Sequence, residues 1–276
     1  MILPTARQRF ESITRAAFAA APAAGDPFRE SHLTESRLDF ALSRYAEGER
    51  TVALLRRDFP DLMSRPDLVV LDLGSGNGGM LFPFAGIARL VALDVYVDRD
   101  LLAFRRGAAL RLLHLLGDAS TLPLASRSVD VVLLAEVLEH LAHPRRAGDE
   151  IARILKPGGV CLVSTPPRLK FLLRRDPHYG IPALLALPDF LQRLVAKRLL
   201  GHTDYDVAHI YSTSWGVRRR FPRRAFRCRV ICPHRTNWTR HLAWAYLAFE
   251  RLDRGSEESS RLERETVAGC PLTADR

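Results

Sequence analysis

Residues 69–79 read VVLDLGSGNGG: a β-branched apolar run, a carboxylate at Asp72, then a glycine-rich turn. Working outward, similar short apolar runs recur at Leu68–Leu73, Leu90–Val95, Arg111–Leu116, Val129–Leu134 and Gly159–Ser164. Continuous apolar runs of this length are what strands buried on both faces look like. Segments of helix length separate them, so the pattern predicts right-handed βαβ units. The expected fold class is therefore α/β, a doubly wound, mostly parallel, Rossmann-like sheet.

The flanks divide the chain further. Residues 1–25 and 31–59 carry two helical patterns, the second through Leu33, Leu38, Ala41, Leu42, Tyr45, Val52 and Leu55. They predict an N-terminal helical cap over 1–60, ahead of a cofactor-binding core at 61–167. The strand rhythm dissolves after Pro167, and 168–222 is expected to be an insertion after the fifth strand. A strand at Phe226–Cys232, a helix at Trp238–Leu252 and a last strand at Val267–Leu272 would complete the sheet within 223–276. Residues 253–265 form a polar stretch.

Composition narrows the class. The 276 residues include 41 Lys+Arg against 31 Asp+Glu, a net charge of +10, with 47% hydrophobic residues and mean hydropathy near zero. Collagen-like, disulfide-scaffold and wholly disordered chains are excluded. The only lysines are Lys156, Lys170 and Lys197, so the arginine excess partly reflects composition bias rather than an anionic partner. Cys161, Cys228, Cys232 and Cys270 form no CxxC pair and have no matching histidine spacing. No metal site is expected, and a reducing cytoplasmic setting fits. No apolar run is long enough to span a membrane.

The chemistry gathers at the carboxyl ends of the runs. Glycines after the first strand let a ligand approach the backbone. Asp94 closes the second strand, eighteen residues after Gly76, where a carboxylate can accept from two ribose hydroxyls. Asp118 follows the third strand, where it can accept from an adenine amino group. Gly74, Gly76 and Gly79 also satisfy the dinucleotide pattern GxGxxG, and the same glycines fit a turn that holds no ligand. Asp72 just before the turn is unhelpful to a pyrophosphate. It suits a ligand with an ammonium and a sulfonium but no phosphate, namely S-adenosyl-L-methionine.

Four blocks in order, VVLDLGSGNGG (69–79), ALDV (92–95), GDASTLPLASRSVDVVLLAEVLEHL (117–141) and ARILKPGGVCLVSTPP (152–167), resemble the class I S-adenosylmethionine-dependent methyltransferases. The resemblance leans to the small-molecule branch that includes the ubiquinone and menaquinone biosynthesis enzymes. It implies that Gly74, Ser75 and Gly76 lie against the methionine part of the cofactor, with Asp72 holding that loop. It also implies that Asp94 takes the ribose hydroxyls with Val95 against the adenine. Asp118 and Ala119 would bind the adenine edge, and Glu136 would line the pocket near the methyl donor. The Lys156–Gly159 turn would be structural.

Methyl transfer to a hydroxyl benefits from a base. His140, four residues after Glu136 in EVLEH, is the first candidate, against a histidine merely packed at a helix start. His178, with Asp176 and Tyr179 in DPHYGIP, is the second, against a plain surface loop. His209 and Tyr211 are weaker. In the insertion, Leu187, Leu191, Leu194, Val195 and Leu199 form an apolar stripe, read as a lid helix or as a peripheral membrane contact. Arg218, Arg219, Arg220, Arg223, Arg224, Arg227 and Arg229, with Phe221 and Phe226, could track RNA with aromatic stacking or contact anionic lipid. The leading expectation is O-methylation of a small or lipid-linked acceptor by a cytoplasmic enzyme. The alternatives are an RNA methyltransferase, a cofactor-binding regulatory protein without turnover, and a nicotinamide oxidoreductase, which Asp72 disfavours. Nucleic acid is the less favoured partner.

Overall fold

The apolar runs become strands because both faces of the sheet are covered. The computed structural model describes residues 6–20, 37–96, 112–165, 214–231 and 246–253, with isolated positions between 184 and 198. Seven strands form one sheet: β1 (Val69–Leu73), β2 (Arg89–Asp94), β3 (Leu112–Leu116), β4 (Val129–Ala135), β5 (Leu155–Ser164), β6 (Phe226–Ile231) and β7 (Tyr246–Arg251). Their order is β3-β2-β1-β4-β5-β7-β6. Strands β1 to β5 pair in parallel, and β7 runs antiparallel to both β5 and β6. The expected doubly wound, mostly parallel architecture is present. Strand order reverses between β1 and β4, which opens a crevice at their carboxyl ends.

The helices are α1 (Ala6–Ala20), α2 (Arg37–Asp58), α3 (Pro60–Met63), α4 (Pro144–Ile154) and α5 (Ser214–Arg218). On one face Leu71, Leu73, Val91, Val132 and Leu134 bury against Ala147 and Ile151 of α4. On the other, Val70, Leu90, Ala92, Val131 and Leu133 bury against Val52 and Leu55 of α2, with Phe59 and Leu62. Helix α2 thus shares a core with the sheet. Pro144 opens α4 at a position where its missing N–H costs nothing.

Three expectations need correction. The β1–β2 connection contains only a 3-10 turn, Phe82–Phe84, where a crossover helix was expected. Gly78, Gly79, Pro83 and Gly86 deny that short stretch a helix. The N-terminal helices fill the layer instead, with Phe10, Tyr45 and Phe82 in ring contact at centroid distances of 4.7–6.0 Å. Secondly, Tyr246–Arg251 is a strand although a helix was expected through Leu252. An apolar run this short reads equally well as buried helix or buried strand. Here Tyr246 and Ala248 bury on one face and Leu247 and Phe249 on the other, while the open hydrogen bonds of β5 and β6 take its backbone. The expected strand at 267–272 lies outside the described residues. Thirdly, β5 begins at Leu155, directly after α4, and its register against β4 shifts between Val129–Leu155 and Val131–Val160.

That shift carries the Lys156–Gly159 turn. Lys156 Nζ donates to Asp130 Oδ2 at 2.7 Å, Arg65 Nη1 to Oδ1 at 2.9 Å and the Val69 amide to Oδ2 at 3.0 Å. The buried Asp130 ties β1, β4 and β5 together at the amino ends of the strands.

Candidate functional site

The glycine turn is anchored from behind. The Gly74 and Ser75 amides both donate to Leu93 O, at 2.8 and 3.2 Å, which fixes the loop to the end of β2. Gly76 has φ +47°, and a side chain placed there would meet nothing nearer than the Tyr96 hydroxyl at 3.9 Å. The loop therefore has an open side. Ser75 is buried, and its Oγ has no hydrogen-bond partner. An orphaned hydroxyl beside an open glycine fits a ligand with polar groups lying along this turn.

Asp94 closes β2 and is 7% exposed. Its Oδ2 accepts from the Gly76 amide at 2.8 Å and its Oδ1 from the Val95 amide at 2.7 Å. A carboxylate oxygen can accept more than one hydrogen bond, which is what a pair of vicinal hydroxyls would require. Val95 is 71% exposed, an apolar surface at the sheet edge of the kind an adenine ring covers. Asp118 is exposed, with its Oδ1 taken by the Ser120 amide and hydroxyl, which hold its carboxyl below the usual range. Ala119 beside it is buried.

The Asp118 loop is pinned from α4. The Glu150 carboxylate accepts from the Leu122 amide at 2.8 Å. Arg153 donates to the carbonyls of Leu122 and Leu124 and pairs with Glu150. Neither residue stood out in the sequence, because an i,i+3 ion pair on a helix usually decorates a surface.

Asp72 is 2% exposed and is the next-to-last residue of β1, just before the loop. Burial pushes its carboxyl up to about 7, against the pull of Arg44. Glu136 stands at the end of β4 with φ +58°, in the left-handed region that a non-glycine residue adopts only where its surroundings impose it. Its amide donates to Ser164 O at 2.9 Å, joining the ends of β4 and β5. Leu138–His140 then forms a 3-10 turn. Glu136 and His140 are therefore not one α-helical turn apart, as i,i+4 spacing suggested, since the left-handed Glu136 breaks any continuous helix.

Glu139 was missed in the sequence. It is 2% exposed, neither carboxyl oxygen has a full hydrogen bond, and burial pushes it up to about 8, with Glu136 adding to the rise. The hydroxyls of Ser164 and Thr165, at the end of β5, are likewise buried without partners. His140 is half-buried and closes the turn, its amide donating to Val137 O at 2.9 Å. His178, Asp176, Tyr179, His209 and Tyr211 lie outside the described residues, as does most of 168–213.

The basic stretch differs from its sequence reading. Arg219, Arg223, Arg224, Arg227 and Arg229 are exposed, but Phe221 and Phe226 are buried. Phe221 stacks on Phe249 at 3.9 Å, and both rings pack in the core. They are unavailable to stack bases.

The carboxyl end of the β3-β2-β1-β4-β5-β7-β6 sheet thus brings together the Asp94 carboxylate, an open glycine loop and the buried carboxyls of Asp72 and Glu139. A family model described as a methyltransferase domain matches residues 71–163. Those residues are thus similar in sequence to a methyltransferase domain. A probable S-adenosylmethionine-dependent methyltransferase of Mycolicibacterium smegmatis is 40% identical over 108 residues, 39% of this chain and 41% of that protein. Another, from Mycobacterium tuberculosis, is 37% identical over 107 residues, 39% of each chain. The chain thus spans about two fifths of the length of the curated relatives it matches. Among solved structures, the PH0226 protein of Pyrococcus horikoshii superimposes with a TM-score of 0.53 at 16% identity, over 83% of this chain and 100% of that one. That likeness is one of fold. Among the described residues no helix is long and apolar enough to cross a membrane.

Proposed function

We propose that the protein is an S-adenosylmethionine-dependent methyltransferase acting at oxygen on a small or lipid-linked acceptor. The observation that carries the cofactor is the Asp94 carboxylate, held by the Gly76 and Val95 amides beside the open side of Gly76. The orphaned Ser75 hydroxyl supports the same ligand. When bound, S-adenosylmethionine supplies a methyl group on a sulfonium whose leaving group is a neutral thioether.

The protein's part is to bind, orient and exclude water. Asp94 takes the ribose hydroxyls, Asp118 the adenine edge, and Asp72 sits under the loop where an ammonium would lie. Transfer of that methyl group to a hydroxyl would release a proton, which a base of the protein would take. Glu139 is the stronger candidate base, because it is buried and burial raises it to about 8, so that in its ionised form it takes a proton readily. His140, next in sequence and half-buried, is the second candidate base. The preference for a small or lipid-linked hydroxyl acceptor rests on the resemblance to the quinone-biosynthesis branch. With Phe221 and Phe226 buried, RNA is the weaker acceptor.

The test is titration calorimetry with S-adenosylhomocysteine and with NADH, then methyl-labelled transfer assays on quinone-like phenols, lipid extracts and RNA. Micromolar binding of the first ligand alone and label in a phenolic or lipid product is the expected result. Binding of NADH alone, or label only in RNA, would overturn it.

A further inference from the structure

Four carboxyls crowd one guanidinium at the carboxyl end of the sheet. Arg44, on α2, donates from Nη1 to Glu47 Oε2 at 2.8 Å, so its charge is already matched. The Tyr246 hydroxyl of β7 holds Glu47 from the other side at 2.8 Å. Asp72 of β1, Glu136 just after β4 and Glu139 on the following turn all lie within the field of that same cation. Asp94 of β2 adds its own negative charge beside Asp72. Fully ionised, Glu47, Asp72, Glu136 and Glu139 would oppose a single positive charge, and Asp72 and Glu139 are too buried for water to screen them.

Glu139 has the least to hold a negative charge. Its own amide, the Thr165 hydroxyl just past β5 and the shared Arg44 favour its carboxylate, while Glu136 opposes it. His140 follows it on the same turn. A carboxyl buried in such company keeps its proton, and burial lifts this one to about 8. A base that is already protonated at neutral pH takes no proton, so its ionisation has to come from something that enters the crevice. S-adenosylmethionine carries an ammonium, a sulfonium and a carboxylate, hence one net positive charge, whereas S-adenosylhomocysteine lacks the sulfonium and is neutral overall. An opposite charge within about 4–6 Å favours the ionised form of a carboxyl by roughly 10–1,000-fold. Glu136, which the resemblance places near the methyl donor, acts directly on Glu139. We propose that Glu139 holds a proton in the empty crevice and releases it to solvent when S-adenosylmethionine binds, the O–H electron pair staying on the carboxylate, so that the base is ionised only while the methyl donor is present. This rests on the methyltransferase reading and adds the regulation of its base.

The test is titration calorimetry on the full chain at about pH 6.5, below the ordinary range of an α-ammonium, in phosphate and in imidazole. These buffers differ in ionisation heat, so the difference in apparent binding heat counts the protons released. Asp72, where the ammonium common to both ligands would lie, contributes equally to S-adenosylmethionine and S-adenosylhomocysteine, and the difference between the ligands reads Glu139. The native protein is expected to release roughly 0.5–1 proton more with S-adenosylmethionine. Its preference for that ligand should rise by up to about tenfold from pH 6 to 7. In Glu139→Gln, which mimics the protonated side chain, both effects vanish while both ligands still bind. Infrared difference spectra of the native protein need no variant, and more protonated-carboxyl signal should disappear with S-adenosylmethionine than with S-adenosylhomocysteine. Equal proton release by the two ligands, equal infrared loss, or a difference that survives in Glu139→Gln would overturn the proposal. Failure of the native protein to bind either ligand would instead overturn the methyltransferase reading itself.

Discussion

The two ends of the parallel sheet each bury an aspartate, and they treat it in opposite ways. At the amino end, Asp130 is 1% exposed and receives two cations and a backbone amide. At the carboxyl end, Asp72 is 2% exposed, faces one shared cation and lies near Asp94 and Glu47, and burial lifts its carboxyl to about 7. Partnerless polar atoms collect at that same end, on Ser75, Glu139, Ser164 and Thr165. A charge that is fully compensated holds the fold together. One left short of partners is costly to the empty fold and waits for a ligand.

The sharpest way to break this contrast is at Glu139. Glu139→Gln should lower turnover by roughly 10²–10⁴-fold, the usual worth of a positioned base, with S-adenosylhomocysteine affinity nearly unchanged. His140→Ala should lower turnover by less, again more than it lowers affinity. Normal turnover in the glutamine variant, measured at saturating acceptor, would remove the base from this carboxyl.

Stability should respond most at the other end. Asp130→Ala should cost about 2–3 kcal/mol in urea unfolding, below the penalty for a fully buried stranded charge because Arg65 and Lys156 are each 34% exposed. The folded fraction should bind S-adenosylhomocysteine normally. If binding fell with stability, the two ends would not be separable.

Asp94→Ala should do the reverse, weakening S-adenosylhomocysteine by about 1–3 kcal/mol through lost charged hydrogen bonds. Calorimetry that finds native affinity in this variant would take Asp94 out of the ribose site.

The smallest expected effect is in pH. Burial raises Asp72 to about 7 and Glu139 to about 8, so the folded protein keeps protons that the unfolded chain has already released. Their contribution is fully present below the ordinary carboxyl range and is lost as pH rises through 7 and then 8. The empty protein should therefore lose stability steadily between pH 5 and 8.5. Asp72→Asn should flatten the slope, and a slope identical to native would mean that Asp72 is ionised in the empty crevice.

Legibility followed the range of the interactions. Strands β1 to β4 and β6 were readable to within a residue or two, because strands buried on both faces announce themselves as local apolar runs. Asp72, Asp94 and Asp118 were readable because each closes or follows such a run. Tyr246–Arg251 was not, since a strand whose apolar part is so short takes its conformation from the strands that flank it. Glu139 hid because its neighbour His140 carries the more familiar signal, and its burial depends on a turn that only the left-handed Glu136 creates.

What the amino-acid sequence determined by itself is the α/β sheet and the carboxylates at its carboxyl edge, both functions of residue type and near spacing. What only the tertiary structure decided is the pairing of distant groups. Arg44 meets Ala135 across 91 residues and Tyr246 meets Glu47 across 199. Phe221 and Phe226 turn inward to Phe249, leaving the arginines around them to solvent. Nothing local distinguishes a buried arginine from a surface one, or a core ring from an exposed one. That difference is a matter of desolvation, and desolvation is settled only when remote segments pack together.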